Sequence, residues 1–67
     1  MLNKNLLISI MKLHGDTQEA LANYLDMSLP SVNQRIAGNV EFKASEIAKV
    51  KEKYNLTDEQ VTAIFFN

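Results

Sequence analysis

The sequence predicts an all-α domain of five short helices. Apolar residues recur at helical spacing along most of the chain, and no segment alternates apolar and polar residues long enough to form a strand. The chain holds only two Gly and one Pro, which suits helices better than a turn-rich β fold. Because the 67 residues contain neither a repeat nor a linker, we expect a single domain over residues 1–67.

The first two predicted helices meet at a short turn around Gly15. Apolar residues of the first helix cover one arc at helical spacing, and Ile8 falls outside that arc. The members of the arc are Leu6, Leu7, Ile10, Met11 and Leu13. Gly15 can take the left-handed conformation that closes a helix. The second helix then begins at Asp16 or Thr17, since either side chain can cap it, and stops near Asp26.

The third predicted helix is mostly polar. Ser28 is a natural N-cap, and Pro30 stands at the second position, where a missing N–H has no cost. From Ser31 to Ala37 the only sizeable apolar residues are Val32 and Ile36, and Gly38 ends the helix. We therefore expect one thin stripe of this helix to face the core and the rest to face water or a ligand.

The fourth predicted helix starts near Lys43 and stops at Asn55. Phe42 and Ile47 stand where a hydrophobic staple would close its first turn. Glu46 occupies the N3 position of a capping box. The side chain of Lys43 has no acceptor atom for the other bond of the box, so the box is half present. Asn55 tolerates the left-handed conformation and predicts the stop.

The fifth predicted helix has a full capping box over residues 57–60 and ends in two adjacent aromatic residues. Ile64 and Phe65 are expected to face inward, and Phe66, about 100° further round the helix, at least partly outward. An exposed Phe at the end of a small domain suggests an interface. The alternative is a frayed end with Phe66 lying on the surface. The candidate interface residues are Ile64, Phe65 and Phe66.

Composition narrows the possible functions. Seven Lys and Arg oppose eight Asp and Glu, a net charge of −1, which argues against a strongly basic nucleic-acid binder. With no Cys and a single His, we expect no metal site and no cofactor. No apolar run approaches the roughly 20 residues of a membrane span, and the N-terminus fits the first helix of a cytoplasmic protein. No catalytic constellation or small-molecule site is evident, so we expect no enzyme.

The most informative stretch runs from Thr17 to Gly38. Two short helices, the first amphipathic and the second largely polar, are joined by a tight turn at residues 26–28. This is the helix-turn-helix pattern, in which the second helix lies in the DNA major groove.

The same stretch resembles the phage repressor and Cro family, also called the XRE or lambda-repressor-like family. The resemblance is carried without a gap by Thr17–Ala22, Leu25–Ser28, Val32, Ile36 and Gly38. The five-helix plan extends it over nearly the whole chain. It implies a five-helix lambda-repressor-like domain whose helices 2 and 3 form the helix-turn-helix.

The resemblance also implies a set of DNA-contacting residues. The set is Gln18, Ser28, Leu29, Pro30, Ser31, Asn33, Gln34, Arg35, Asn39 and Lys43. Gln18 would hold a phosphate at the start of helix 2. Asn33 and Gln34 would meet base edges together with Leu29 and Pro30, since an amide can pair with adenine and an apolar group suits the thymine methyl.

The other members of the set would lie beside the bases. Arg35, Asn39 and Lys43 would flank the bases on phosphates, and Ser28 and Ser31 lie near enough for phosphate or base contacts. Simpler roles stay open for several members: a hydrogen bond within the helix pair for Gln18, plain solvation for Asn33 and Gln34, and a helix-start role for Pro30. Leu29 could pack back at the start of the helix, touch thymine or belong to a protein interface. Arg35 could be solvated or could clamp a phosphate.

Departures from the family pattern concern charge and the turn. Asp26 stands where the family usually has glycine, and we expect a small strain there. Asp16, Glu19 and Glu41 lie near the expected path of the phosphates, and Arg35 is the only charge between residues 27 and 40. These features weaken the electrostatic anchoring on which non-specific DNA affinity depends.

Two functional hypotheses follow. The first is a Cro-like, sequence-specific transcriptional regulator of a phage or prophage genetic switch, which binds double-stranded operator DNA as a homodimer. The second is a modulator or antirepressor of the same fold that docks on a partner phage repressor and binds little DNA itself. The near-neutral charge and the apolar start of helix 3 favour the second.

Overall fold

The chain folds into five α-helices and no strand in the computed structural model, which describes all 67 residues. This confirms the all-α class and the number of helices. The helices are α1 (Lys4–Leu13), α2 (Gln18–Tyr24), α3 (Leu29–Ile36), α4 (Ala44–Tyr54) and α5 (Asp58–Phe65). None of the five is long and apolar enough to cross a membrane.

Side-chain caps fix where four of the helices begin. Thr17, and not Asp16, caps α2, because its hydroxyl accepts from the backbone N–H of Ala20 at 3.1 Å. Ser28 caps α3 as predicted. Thr57 opens α5 with the complete capping box expected there. The cap of α1 is Asn3, whose Oδ1 accepts from the N–H of Leu6, and the sequence prediction missed it.

Left-handed residues end the helices where the sequence predicts. Gly15 has a φ of 71°, Gly38 of 86° and Asn55 of 51°. Asp26 also has a positive φ, 58°, in the turn between α2 and α3. The predicted half capping box of α4 is present too, since Glu46 accepts from the N–H of Lys43 at 2.9 Å while the lysine side chain accepts nothing.

The core is a single cluster to which all five helices contribute. Its twelve buried members are Leu7, Met11, Leu21, Ala22, Leu25, Val32, Ile36, Val50, Tyr54, Leu56, Ile64 and Phe65.

Two residues of α1 differ from the predicted arc. Leu13 is 84% exposed, whereas Ile8 is half-buried and packs against the core. The buried residues Leu7 and Met11 define the centre of the inward face, and at 100° per residue Leu13 lies roughly 140° from that centre and Ile8 roughly 80°. The sequence gives the spacing of the arc but not the direction in which it faces.

Among the helices, α2 and α3 pack most extensively on each other. Residues 25–28 join them, and Leu21 and Ala22 of α2 are buried. From α3 only Val32 and Ile36 enter the core, at 0% and 2% exposure. This confirms the thin inward stripe and leaves the other residues of α3 at or near the surface.

Candidate functional site

The outer side of α3 is uncharged. Leu29, Pro30, Asn33 and Gln34 are exposed, as is Ala37 directly after the helix, and we call these five residues the exposed face of α3. At its start lie the apolar pair, with Leu29 36% exposed, and further along lie the two amides. An amide presents both a donor and an acceptor, so this face can form hydrogen bonds without adding charge.

Hydrogen bonds between near neighbours in the sequence order the polar residues at both ends of this face. The hydroxyl of Ser28 donates to that of Ser31 at 3.0 Å and accepts from the N–H of Ser31 at 3.3 Å. At the other end, the Asn39 side-chain amide donates to Oε1 of Gln34 at 3.0 Å. Gln34 and Asn39, separate members of the predicted set, therefore act as one hydrogen-bonded pair, while Asn33 keeps its amide free.

Arg35 is neither solvated nor free to clamp a phosphate. Its Nε donates to Oε1 of Glu46 at 2.9 Å and its Nη2 to Oε2 at 3.4 Å. Its Nη1 donates to the backbone oxygen of Ser31 at 3.1 Å. The side chain is only 13% exposed, so the structure corrects the sequence interpretation: the charge of Arg35 is satisfied within the protein.

Gln18 and Lys43 remain available. Gln18 is half-buried in the first turn of α2, and its side chain makes no hydrogen bond within the helix pair. Lys43 is exposed, and its ammonium group forms no ion pair. Since Arg35 is neutralised, Lys43 is the one free cation of the predicted DNA-contacting set.

Asp16 belongs to a cluster that joins the start of α2 to the end of α4. Its Oδ2 accepts from the hydroxyl of Tyr54 at 2.9 Å and lies 3.3 Å from Nζ of Lys53. The hydrogen bond from Tyr54 outweighs partial burial and, with Lys53, lowers the pKa of Asp16. Of the acidic residues expected near the phosphates, only Glu19 and Glu41 are then exposed without a cationic partner.

Aromatic rings complete this cluster. Nζ of Lys53 lies 4.7 Å from the ring centroid of Tyr24 and 5.6 Å from that of Tyr54, and the ring of His14 lies 4.9 Å from that of Tyr54. The side chain of Lys53 is only 22% exposed. Burial and the adjacent carboxylate raise the pKa of Tyr54. The cluster is structural and fixes how α2 begins relative to α4.

An apolar groove lies beside the last turn of α3. It has a volume of about 690 Å³, and nine of its thirteen lining residues are hydrophobic, among them Val40, Phe42 and Phe66. Phe66 is 65% exposed, whereas Phe65 is buried and meets Phe42 edge to face with centroids 5.3 Å apart. The predicted orientations of the two aromatic residues are confirmed. Ile64 and Phe65 are both buried, however, so Phe66 is the one exposed residue of the predicted interface set.

Comparisons with known proteins do not place the chain in a family. No protein-family model matches it, and no curated protein is significantly similar to it. No group of three or more His, Cys, Asp or Glu side chains is arranged to hold a metal ion. The case for a function therefore rests on the exposed face of α3, its neighbouring residues and the groove.

Proposed function

We propose that this protein is a sequence-specific, DNA-binding transcriptional regulator of the Cro-like type, in which α2 and α3 form a helix-turn-helix. One observation carries the proposal: α3 buries only Val32 and Ile36 and turns a side with two adjacent amides to the solvent. This side carries no charge, and its amides can present a donor and an acceptor to a base edge. The resemblance of residues 17–38 to phage repressors favours a role in a phage-type genetic switch.

Base recognition would come from the amides of α3. Asn33 has no intramolecular partner, so its amide can donate to and accept from an adenine edge in the major groove. Gln34, oriented by Asn39, would contact a neighbouring base. A good bidentate amide contact discriminates against a wrong base by roughly 1–3 kcal/mol.

Phosphate contacts would be few. Gln18 stands in the first turn of α2, where the helix N-terminus favours an anion, and Lys43 supplies one free positive charge. Each neutralised phosphate adds about −0.9 to the slope of log K against log salt. We therefore expect a slope of about −2 for a dimer that uses Lys43 from each subunit, a weak salt dependence for a DNA-binding protein.

A homodimer would give the affinity that one subunit lacks. The exposed Phe66 lies at the edge of the apolar groove, so a second subunit could bury both. A twofold dimer can present two α3 helices about 34 Å apart, one turn of DNA. Phe66→Ser should shift the protein to monomer in sedimentation at unchanged helix content. A wild-type protein that is monomeric at DNA-binding concentrations would exclude this part of the proposal.

Selection of binding sites from a random duplex library at low salt tests the DNA proposal. The wild type should enrich a defined sequence, and Asn33→Ala should relax the preference at one position of each half-site. Asn5→Ala is the matched control, because Asn5 is also an exposed amide but lies on α1. Lys43→Ala should weaken binding to all sequences alike and reduce the salt slope by about 1 per subunit.

Two results would contradict the DNA proposal. One is a folded wild type that enriches no sequence. The other is an enriched sequence that Asn33→Ala and Asn5→Ala bind equally well, since base contacts would then lie outside α3.

A second candidate function is docking on a partner repressor. The neutralisation of Arg35 favours it, because the exposed face of α3 then begins with Leu29 and Pro30 and carries no charge to attract DNA. Leu29→Ser should abolish co-elution with a co-expressed repressor if this candidate is right. Under the DNA proposal it should instead change only the preference at one base position.

A further inference from the structure

Arg35 and Glu46 form a closely fitted ion pair between α3 and the start of α4. Two guanidinium nitrogens face the two carboxylate oxygens, at 2.9 and 3.4 Å, and a third donates to the backbone of α3. The side chains are 13% and 11% exposed. A bidentate contact of this kind holds the guanidinium plane in one orientation.

Glu46 stays ionised for reasons that do not all depend on Arg35. Burial by itself would raise its pKa, but the N–H of Lys43 donates to Oε1 and, together with Arg35, lowers it below the ordinary range. The carboxylate is therefore fully charged at neutral pH. Because Arg35 is the only charged residue between residues 27 and 40, Glu46 removes the only positive charge that α3 carries.

We propose that Glu46 is a specificity-determining residue, which cancels the charge of Arg35 so that α3 meets a polyanion through uncharged contacts alone. This inference rests on the proposed DNA-binding function for its biological consequence. Sequence-independent affinity comes almost entirely from cations on phosphates. A recognition helix without net charge would bind random DNA weakly, and its discrimination would depend on base contacts.

Three variants separate this role from a merely structural one. Glu46→Gln leaves Arg35 without a counter-charge and raises the net charge from −1 to zero, while the new amide oxygen can still accept from the N–H of Lys43. Glu52→Gln makes the same change in net charge at an exposed position of α4. The double variant Arg35→Gln/Glu46→Gln removes both partners and leaves the net charge at −1.

The test is NMR titration of each variant with a heparin hexasaccharide and with a mixed-sequence DNA duplex, at about 20 mM salt and above. Glu46→Gln should bind both polyanions on the order of tenfold more tightly than the wild type, with a salt slope on DNA steeper by about 0.9 per subunit. Glu52→Gln and the double variant should match the wild type. Sequence preference, measured against the selected duplex, should fall in Glu46→Gln.

The inference is overturned if Glu46→Gln increases the affinity for heparin and duplex DNA no more than Glu52→Gln does. It is also overturned if the double variant binds duplex DNA more weakly than the wild type, because Arg35 would then already contact phosphate. This second comparison decides the matter even if Glu46→Gln does not fold. If Glu46→Gln binds heparin more tightly while no variant prefers any DNA sequence, Glu46 does neutralise Arg35 but the proposed DNA-binding function fails.

Discussion

Tyr54→Phe tests the account of the cluster that joins α2 to α4. The substitution removes one oxygen and keeps the ring in the core, where Tyr54 is 4% exposed. What is lost is the 2.9 Å hydrogen bond to the carboxylate of Asp16. Since Asp16 precedes the cap of α2, the loss should loosen the start of the helix that bears Gln18.

The expected loss of stability follows from the contacts. A hydrogen bond to a charged group contributes roughly 1.5–3 kcal/mol. Asp16 keeps Lys53 as a partner and is 19% exposed, so the lower end applies, and we expect a loss of about 1.5 kcal/mol. For a domain of this size that corresponds to a fall in Tm of about 6–12 °C.

The pH dependence supplies a second signature. The hydrogen bond from Tyr54 is the largest cause of the lowered pKa of Asp16, so the pKa of Asp16 in the folded state should rise in the Phe variant. A carboxyl pKa that is lowered in the folded state stabilises the fold at pH values above the ordinary pKa of 3.8. This stabilisation is lost as the pH falls through the lower pKa of the folded state. The stability difference between wild type and variant should therefore be full at pH 6 to 7 and shrink below about pH 3.8.

Chemical unfolding across pH is the assay, and Tyr24→Phe is the matched control. Tyr24 is 41% exposed and its hydroxyl makes no hydrogen bond, so its loss should change stability by less than about 0.5 kcal/mol. Equal effects of the two substitutions, or a Tyr54→Phe effect that persists unchanged at low pH, would refute the role given to the Tyr54–Asp16 bond.

Three further predictions concern stability. The free energy of unfolding should fall below about pH 4.5 as Glu46 and Asp16 become protonated, because both have lowered pKa values in the folded state; a stability that is flat down to pH 2 would contradict this. Asp26→Gly should leave the unfolding free energy within about 0.5 kcal/mol, because relieved strain offsets backbone entropy, whereas Asp26→Val should cost at least about 1 kcal/mol; similar values for both would rule out the left-handed turn. Leu21→Ala should cost about 2–5 kcal/mol in urea unfolding, and a loss under 1 kcal/mol would mean that α2 does not bury this residue.

Local chemistry made the ends of the helices predictable. The hydroxyls of Ser28 and Thr57 cap their helices by accepting from the backbone N–H three residues further on. Gly15 and Asn55 end helices through their own left-handed backbone conformation. Such features depend on a few consecutive residues, so a sequence contains nearly all the information they need. The choice between Asp16 and Thr17 needed the structure, because the Asp16 carboxylate is engaged by a residue 38 positions away.

Charge at the candidate site was harder to predict for the same reason. The partner of Arg35 lies 11 residues further on in another helix, and nothing in the pattern of α3 indicates it. From the sequence, Arg35 therefore appeared available to bind a phosphate, although in the structure Glu46 neutralises it. The prediction for Leu13 was wrong because periodicity identifies an apolar face without fixing which of its residues reach the core. Ile64 does face inward as its spacing predicts, and only its assignment to an interface was wrong.

Amide chemical-shift mapping with the selected DNA duplex tests the central claim most directly. If the amides of α3 contact base edges, the largest shifts should fall on Asn33 and Gln34, with smaller ones at Gln18 and Lys43. Asn33→Ala should remove the shifts that depend on sequence and keep those at Lys43. If α3 stays unshifted in a folded protein at low salt, or shifts fall only around Phe66 and the groove, α3 is not a DNA-recognition helix.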